Sequence, residues 1–262
     1  MLKIDALTDA LDKRAPLSLS LKQIEQGAYD NSGLLIRDHE SVNKILFALD
    51  LSLAAVKFAK RNGCDTVVTH HPAIYAPLKT LDNTGDSAPV LAAVKAGLNV
   101  VSMHLNLDVA DGGIDASLCA GLGGEKYKIL FMTDEKHGYG REFDVKNTEL
   151  SVFVKNAKTV FGTKRAVVYG SGRTKISKAA SFCGGGAEYC AKYVKNGGAA
   201  DLIISSDLPH HVIKLIVESG KCVLILPHYT AENYGFRQFY EKAAADLKGF
   251  AETMFFTDKR FK

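Results

Sequence analysis

Two adjacent histidines, His70 and His71, follow the apolar run TVVT and precede Pro72. Neighbouring residues of a strand point to opposite faces, so the two imidazoles can serve one site only where the chain turns. Proline disfavours helical dihedral angles at the residue before it, which favours an extended or turning geometry at His71. The spacing therefore indicates a pair of imidazole ligands at the end of a buried strand.

Two further histidines end apolar runs, and each is followed four positions later by a carboxylate. The pairs are His104 with Asp108 and His228 with Glu232. Both are preceded by a segment that reads as strand, helix and strand, which indicates a structural duplication. Ligands at the carboxyl ends of parallel strands converge over one crevice in open α/β sheets. We therefore expect these four side chains to lie near the paired histidines.

The donor types indicate which ions such a site would bind. Imidazole and carboxylate together favour zinc, iron or manganese over calcium and magnesium, which prefer oxygen ligands alone. Four ligands saturate a structural zinc ion, and a catalytic ion keeps an open position. Five or six candidate ligands therefore predict two divalent ions that share a bridging carboxylate. The alternative is a single structural zinc ion in the histidine-rich loops, with the chemistry elsewhere.

The other histidines and the glycine cluster have simpler expected roles. His210 and His211 stand at a predicted helix start after Asp207, where capping or the orientation of a ligand is expected and direct ligation of a metal is the less favoured alternative. The cluster CGGGAEYC at 183–190 lacks the lysine and the Ser/Thr of a nucleotide-phosphate loop. A turn that allows close backbone approach is therefore the favoured interpretation of this cluster.

Apolar periodicity predicts the elements that must position these residues. In the first half it predicts helices at 2–13, 18–27, 51–63 and 88–97, and strands at 34–38, 44–50, 65–71 and 98–103, with a polar loop after the last strand. In the second half it predicts a pair of extended segments at 126–132 and 138–145, helices at 148–162, 187–198, 209–220 and 231–249, and strands at 164–170, from 176, at 200–206, 221–227 and 251–258. Alternating strands and helices are typical of an α/β layered fold.

Composition limits the class of protein. The 262 residues are 47% hydrophobic and 24% charged, which suits a globular chain of one large or two modest domains. A net charge of +4 without a long basic run favours a small anionic ligand over nucleic acid. The chain has no apolar stretch of 18 residues, so we expect a cytoplasmic protein with no membrane partner. The five cysteines contain no CxxC pair and are expected to be buried and reduced.

Five segments in their order along the chain resemble a known family, the NIF-three-like dinuclear metal-centre proteins. Many members of this family carry the name GTP cyclohydrolase 1 type 2 homolog. The segments are DNSGL at 30–34, ILFALDLS at 45–52, VVTHHPAIYAPLK at 67–79, HLNLDVADGGID at 104–115 and HYTAE at 228–232.

The resemblance implies a ligand set, a fold and an assembly. It implies that the metal ligands are His70, His71, Asp108, His228 and Glu232, with His104 close to the site. It also implies two α/β domains with the metal ions in the cleft between them, and a homo-hexameric ring. We place the boundary near residue 125, which assigns the first three ligands to 1–125 and the last two to 126–262.

The expected function follows from two ions that activate water, which is hydrolytic chemistry. We expect a metal-dependent hydrolase of a small anionic molecule, with His104 moving protons as the catalytic residue. The family name implies ring opening of a guanine nucleotide, although no residue of the chain selects guanine. The alternative function is a non-enzymatic metal-binding scaffold or regulatory protein that acts through protein partners.

Overall fold

A computed structural model describes residues 2–261, and its elements alternate as expected for an α/β protein. The strands are β1 (Leu2–Lys3), β2 (Gly33–Ile36), β3 (Ser41–Val42), β4 (Lys44–Ala48), β5 (Thr66–Thr69), β6 (Asn99–Ser102), β7 (Tyr127–Met132), β8 (Gly138–Glu149), β9 (Val167–Tyr169), β10 (Lys175–Ser181), β11 (Leu202–Ser205), β12 (Cys222–Ile225) and β13 (Glu252–Phe256). The helices are α1 (Ile4–Asp12), α2 (Leu17–Glu25), α3 (Leu53–Arg61), α4 (Ser87–Lys95), α5 (Leu105–Val109), α6 (Ile114–Gly121), α7 (Leu150–Val160), α8 (Ala187–Lys195), α9 (His210–Glu218) and α10 (His228–Asp246), with a 3₁₀ turn at Lys259–Phe261.

The chain divides into two compact units by its internal contacts. Unit 1 consists of the residues up to Asp111 together with Phe236–Arg260, and unit 2 consists of Gly112–Gly235 with Phe261. The second division falls inside α10, so this helix contributes residues to both units. Unit 1 is therefore built from two separate stretches of the chain.

This division differs from the predicted halves, 1–125 and 126–262, in two segments. Residues 112–125 belong to unit 2 because α6 packs against β8 and β10. Residues 236–260 belong mainly to unit 1 because β13 pairs with β4.

Within the described residues, the main sheet of unit 1 has five strands in the order β13-β4-β5-β6-β2. The first four run parallel, and β2 is antiparallel to β6. All residues of β5 and β6 are buried, as is typical of parallel strands that helices cover on both faces. Leu46, Val67 and Val100 of these strands pack with Val56 of α3 and Ala93 of α4 in one core cluster.

Local sequence signals set the ends of α3, which leads into β5. The Ser52 hydroxyl accepts a hydrogen bond from the Ala55 backbone N–H at 3.1 Å and so caps the first turn. Gly63 follows the last turn with a φ of +68°, a conformation that favours glycine after a helix. Helix α3 therefore begins after a capping serine and ends before a glycine. Strand β5 follows it and leads to the paired histidines.

Unit 2 contains, in the described part of the chain, a six-stranded sheet in the order β7-β8-β10-β11-β12-β9. Strands β10, β11 and β12 run parallel, whereas β7, β8 and β9 make antiparallel pairings. The predicted pairing of the two extended segments at 126–132 and 138–145 is confirmed, since they form β7 and β8.

Several elements differ from the sequence-based expectations, among them the short strands β1 and β3, which apolar periodicity does not predict. The segment after β6 is the short helix α5 and not a polar loop, and α6 was not predicted. Helix α10 begins at His228, three residues before the predicted start at 231. The differences at α5 and α10 matter to the site, because a four-residue separation along a helix places two side chains on one face.

The α/β class is confirmed, and the five cysteines are free thiols in buried positions. Burial raises the pKa of the Cys190 thiol to about 12, which keeps it protonated at neutral pH. Between residues 2 and 261, the helices are all too short or too polar to cross a membrane.

Candidate metal centre

A turn after β5 brings the rings of His70 and His71 together. The backbone N–H groups of both residues donate to the carbonyl oxygen of Leu49, at 3.1 and 3.0 Å. The chain bends there, and the two ring centroids lie 4.9 Å apart. His70 is fully buried, whereas the His71 side chain is 27% exposed. The turn expected from Pro72 is therefore present.

Helix α5 places His104 and Asp108 beside His70. Strands β5 and β6 end level with each other, so the residues that follow them are neighbours. The Asp108 N–H donates to the His104 carbonyl oxygen at 2.9 Å, which closes one helical turn. The His104 ring centroid lies 5.3 Å from that of His70, and Asp108 Oδ1 lies 3.5 Å from His70 Nε2.

Each of these three histidines has its Nδ1 atom bonded to an oxygen of unit 1. Nδ1 donates to Met103 O at 2.8 Å in His70, to Asp50 Oδ1 at 2.6 Å in His71 and to Asp30 Oδ1 at 2.7 Å in His104. A proton on Nδ1 leaves the ring lone pair on Nε2, which is the form that binds a metal ion. One ligand atom from each histidine lies within 4.8 Å of those of the other two.

Asp30 is held in its ionised form. Its side chain is fully buried, and its second oxygen accepts hydrogen bonds from the hydroxyls of Ser20 and, at 2.6 Å, Ser32. Burial acts to raise the pKa of Asp30, but the hydrogen bonds from His104, Ser20 and Ser32 outweigh burial and hold that pKa below its ordinary value. An ionised Asp30 fixes the orientation and the tautomer of His104.

Unit 2 repeats this arrangement at the ends of β11 and β12. His228 is the first residue of α10 and Glu232 lies one turn later, with Nε2 of the histidine 2.8 Å from Oε2 of the glutamate. His228 Nδ1 contacts Oδ2 of Asp207, which follows β11, at 2.5 Å. Glu232 is buried. The order strand, helix, strand and then a histidine followed four positions later by a carboxylate occurs in both units, and a duplication stays a prediction.

The glycine cluster brings its backbone against this pair. Gly184 has a φ of +57°, and a Cβ atom added to it would lie 2.5 Å from Glu232 Oε1 and 3.5 Å from His228 Nε2. Its carbonyl oxygen accepts hydrogen bonds from Ser205 Oγ and the Ser206 N–H, both at 3.2 Å. The close backbone approach that the sequence favoured over phosphate binding is therefore observed.

Replacing Gly184 by alanine is expected to lower the free energy of unfolding by about 1–3 kcal/mol, because a left-handed conformation and a contact with Glu232 are both imposed on a side chain. Urea unfolding measures this effect. Gly185→Ala is the matched control, since Gly185 has open space around its Cβ position and should change stability by less than about 0.5 kcal/mol. An equal loss of unfolding free energy in the two variants would contradict the special conformation and the close contact assigned to Gly184.

A buried ion pair anchors the start of the same loop. Asp115 accepts hydrogen bonds from Arg141 Nη1 at 2.7 Å, from the Gly140 N–H at 2.8 Å and from the Cys183 N–H at 3.1 Å. Burial raises the pKa of Asp115 to about 6, although Arg141 and the two N–H groups favour the ionised form. The carboxylate thus fixes the residue directly before Gly184.

Most of the site residues predicted from the sequence form one group within each unit. In unit 1 the structure gathers His70, His71, His104 and Asp108, and in unit 2 it gathers His228 and Glu232. His210 and His211 are exposed at the first turn of α9.

The partners Asp30 and Asp50 were not singled out as site residues. Asp50 follows the buried strand β4, so the rule that sites form at strand ends could have found it. Asp30 follows no such strand, and the segment DNSGL was its only signal.

Comparisons with known proteins cover nearly the whole chain. The sequence model of the family described as Duf34/NIF3 (NGG1p interacting factor 3) matches residues 2–260. A protein of Clostridium perfringens named GTP cyclohydrolase 1 type 2 homolog is 28% identical over 236 residues, which are 88% of this chain and 87% of the relative. A protein of the same name from Methanocaldococcus jannaschii is 28% identical over 250 residues, 94% of this chain and 96% of the relative.

Solved structures show the same fold. The Staphylococcus aureus hypothetical protein SA1388 superposes with a TM-score of 0.84 at 24% identity, over 98% of this chain and 97% of that one. Reduced HcgD from Methanocaldococcus jannaschii superposes with a TM-score of 0.78 at 28% identity, over 97% of both chains.

Proposed function

Because the chain belongs to the Duf34/NIF3 family, we propose that it holds two divalent ions and acts as a metal-dependent hydrolase on a small anionic molecule. The proposed ligands are His70, His71 and Asp108 of unit 1 with His228 and Glu232 of unit 2. Zinc, iron and manganese suit this mixture of imidazole and carboxylate. The proposed assembly is a homo-hexamer, for which light scattering should give six times the 28.3 kDa chain mass.

The observation that carries the proposal is the bonding of the histidine Nδ1 atoms. In His70, His71 and His228, Nδ1 faces a backbone carbonyl or a carboxylate oxygen. Histidines that bind metals usually have such an oxygen partner, which orients the ring and strengthens the Nε2 donor. A surface histidine without this function needs no buried neighbours, whereas His70 is fully buried next to Asp108. The donor set therefore fits divalent metal ions.

When bound, such ions lower the pKa of water and polarise a carbonyl or phosphoryl oxygen of the substrate. The names of the relatives, GTP cyclohydrolase 1 type 2 homolog, support hydrolytic ring opening as the reaction class. We propose ring opening of a guanine nucleotide as one reaction of this class for the chain.

His104 supplies the proton transfer in this proposal. Its Nδ1 atom is bonded to the buried, ionised Asp30, and its side chain is 17% exposed. With Nδ1 held by this carboxylate, Nε2 is the ring nitrogen left to exchange a proton. Nε2 of His104 would therefore take a proton from water and pass it to the leaving group.

Metal analysis followed by an activity screen tests the proposal. The protein is expected to bind two ions per chain after exposure to zinc, iron(II) or manganese, and to hydrolyse a member of a panel of nucleotides, phosphoesters and cyclic amides. Chelation should abolish the activity and resupply of the ion should restore it. Fewer than one bound ion per chain would contradict the two-ion centre. Two bound ions with no turnover across the panel would favour the alternative function, a metal-binding scaffold.

A further inference from the structure

The basic residues of this chain are unevenly distributed. Residues 150–187 contain seven of the 33 Lys and Arg residues and none of the 29 Asp and Glu residues. The net charge of +4 is therefore due to this one segment of unit 2. The segment includes α7, β9 and β10, and it contains none of the proposed metal ligands.

Acidic neighbours neutralise only part of this charge. Lys175 and Lys178 of β10 pair with Glu149 and Asp144 of β8, at 3.5 and 2.7 Å. The other basic residues of the segment have no ion pair with any described residue. They are Lys155, Lys158, Lys164, Arg165 and Arg173.

Three of these lysines surround one cavity. It has a volume of about 510 Å³ and is lined by Ser151, Val154, Lys155, Lys158, Thr159, Thr163 and Lys164. Positions 151, 155, 158 and 159 share one face of α7 by helical spacing, and Lys164 comes from the turn that follows. The lining offers three ammonium groups and the Ser151 hydroxyl, and no carboxylate. The hydroxyls of Thr159 and Thr163 donate to the carbonyl oxygens of Lys155 and Arg165. By contrast, the cavity of about 650 Å³ on another side of α7 includes Glu125 and Asp144 among its lining residues.

We propose that this cavity of unit 2 binds a phosphate-bearing small molecule with at least two negative charges, at a site separate from the proposed metal centre. Lysine ammonium groups act as point charges toward phosphate oxygens, and the Ser151 hydroxyl adds one hydrogen-bond donor beside them. Unpaired like charges repel one another, so an anion that bridges Lys155, Lys158 and Lys164 lowers their electrostatic free energy. The volume accommodates a molecule of nucleotide size, larger than inorganic phosphate.

Calorimetric titration of the metal-loaded protein with inorganic pyrophosphate tests the site. The double variant K155E/K158E is expected to weaken binding by at least about tenfold, because two charge-assisted contacts become repulsive. The matched control is K57E/K60E on α3, which makes the same charge change at the same spacing on another exposed helix face, and it should change the affinity by less than about twofold. Circular dichroism of each variant verifies that the helices are intact.

A second variant separates this site from the proposed metal centre. Asp108→Asn should leave pyrophosphate binding unchanged at the basic cavity, whatever its effect on metal content. Loss of binding in Asp108→Asn with retention in K155E/K158E would place the anion at the metal ions and overturn the proposal. Equal weakening in K155E/K158E and K57E/K60E would reduce the effect to net charge and would also overturn it. Binding of a single-stranded oligonucleotide but not of pyrophosphate would assign the surface to nucleic acid instead.

Discussion

Replacing Asp108 by asparagine is expected to lower turnover by more than about 100-fold and to reduce the metal content below two ions per chain, with the fold intact. Asparagine keeps the size and shape of the side chain but replaces the anionic carboxylate by a neutral amide, which binds a divalent ion more weakly. Changing even an outer partner of a metal ligand costs about 10- to 100-fold, so loss of a proposed ligand should cost more. Metal analysis and steady-state kinetics on the same preparation measure both effects.

Asp9 of α1 provides the matched control, because it is an exposed aspartate outside the proposed ligand set. Asp9→Asn should keep two ions and at least about half of the wild-type turnover, as is usual for surface substitutions. Urea unfolding should give similar midpoints for both metal-free variants. Full activity of Asp108→Asn would show that this residue is not a ligand of the proposed centre. A wild-type protein that binds a partner protein but shows no turnover would support the alternative function, a metal-binding scaffold.

Replacing Arg141 by methionine should lower the free energy of unfolding by about 3–5 kcal/mol at neutral pH, which is the usual cost of breaking a buried ion pair from one side. Arg141 is 2% exposed and is the cationic partner of Asp115. Methionine fills much of the same volume and leaves the carboxylate without its counter-charge. Urea unfolding of the wild type and the variant measures the difference.

The stability deficit of R141M, which is its loss in free energy of unfolding relative to the wild type, should increase with pH. The pKa of Asp115 in the folded protein, about 6, lies above the ordinary value of 3.8, so the stability from this group is present at low pH and is lost as the pH rises between those values. Without Arg141 the folded-state pKa rises further, and the loss continues above pH 6. The deficit of the variant is therefore expected to be larger at pH 8 than at pH 6.

A double variant separates charge from packing. In R141M with Asp115→Asn neither charge of the pair remains, so the pH dependence of the deficit between pH 6 and pH 8 should disappear. The double variant should also be more stable than R141M alone at pH 8. A deficit of R141M that is the same at both pH values would show that lost packing, and not the uncompensated carboxylate, causes the instability.

The sequence predicts elements well where apolar periodicity and chain breakers agree. Helix α3 is flanked by a capping serine and a glycine, and it was predicted within two residues at each end. Helix α5 has only five residues, too few for a periodic pattern, so the sequence indicates a loop there. Helix α6 was missed although it is almost entirely buried, because a helix buried on all sides shows little amphipathic alternation.

The candidate site was predictable to the extent that its residues follow strands. His70 and His104 come directly after apolar runs, and the level ends of β5 and β6 bring them together. The division of the chain was not predictable in this way, because local patterns do not report that β13 pairs with β4 across about 200 residues. The contact between Asp115 and Cys183 joins residues 68 positions apart, so the role of Asp115 also emerges only from the fold.

The two-part construction of unit 1 has a consequence for synthesis on the ribosome. Strands β4, β5 and β6 leave the exit tunnel early, but β13, the neighbour that covers the edge of β4, is made near the end of the chain. At ordinary translation rates this edge stays open for about 10–40 s, a period in which an unpaired strand invites aggregation. Unit 2 is nearly continuous in sequence and can complete its sheet first. Nascent chains truncated near residue 240 still lack β13, so we expect chaperones to bind them at the incomplete sheet of unit 1.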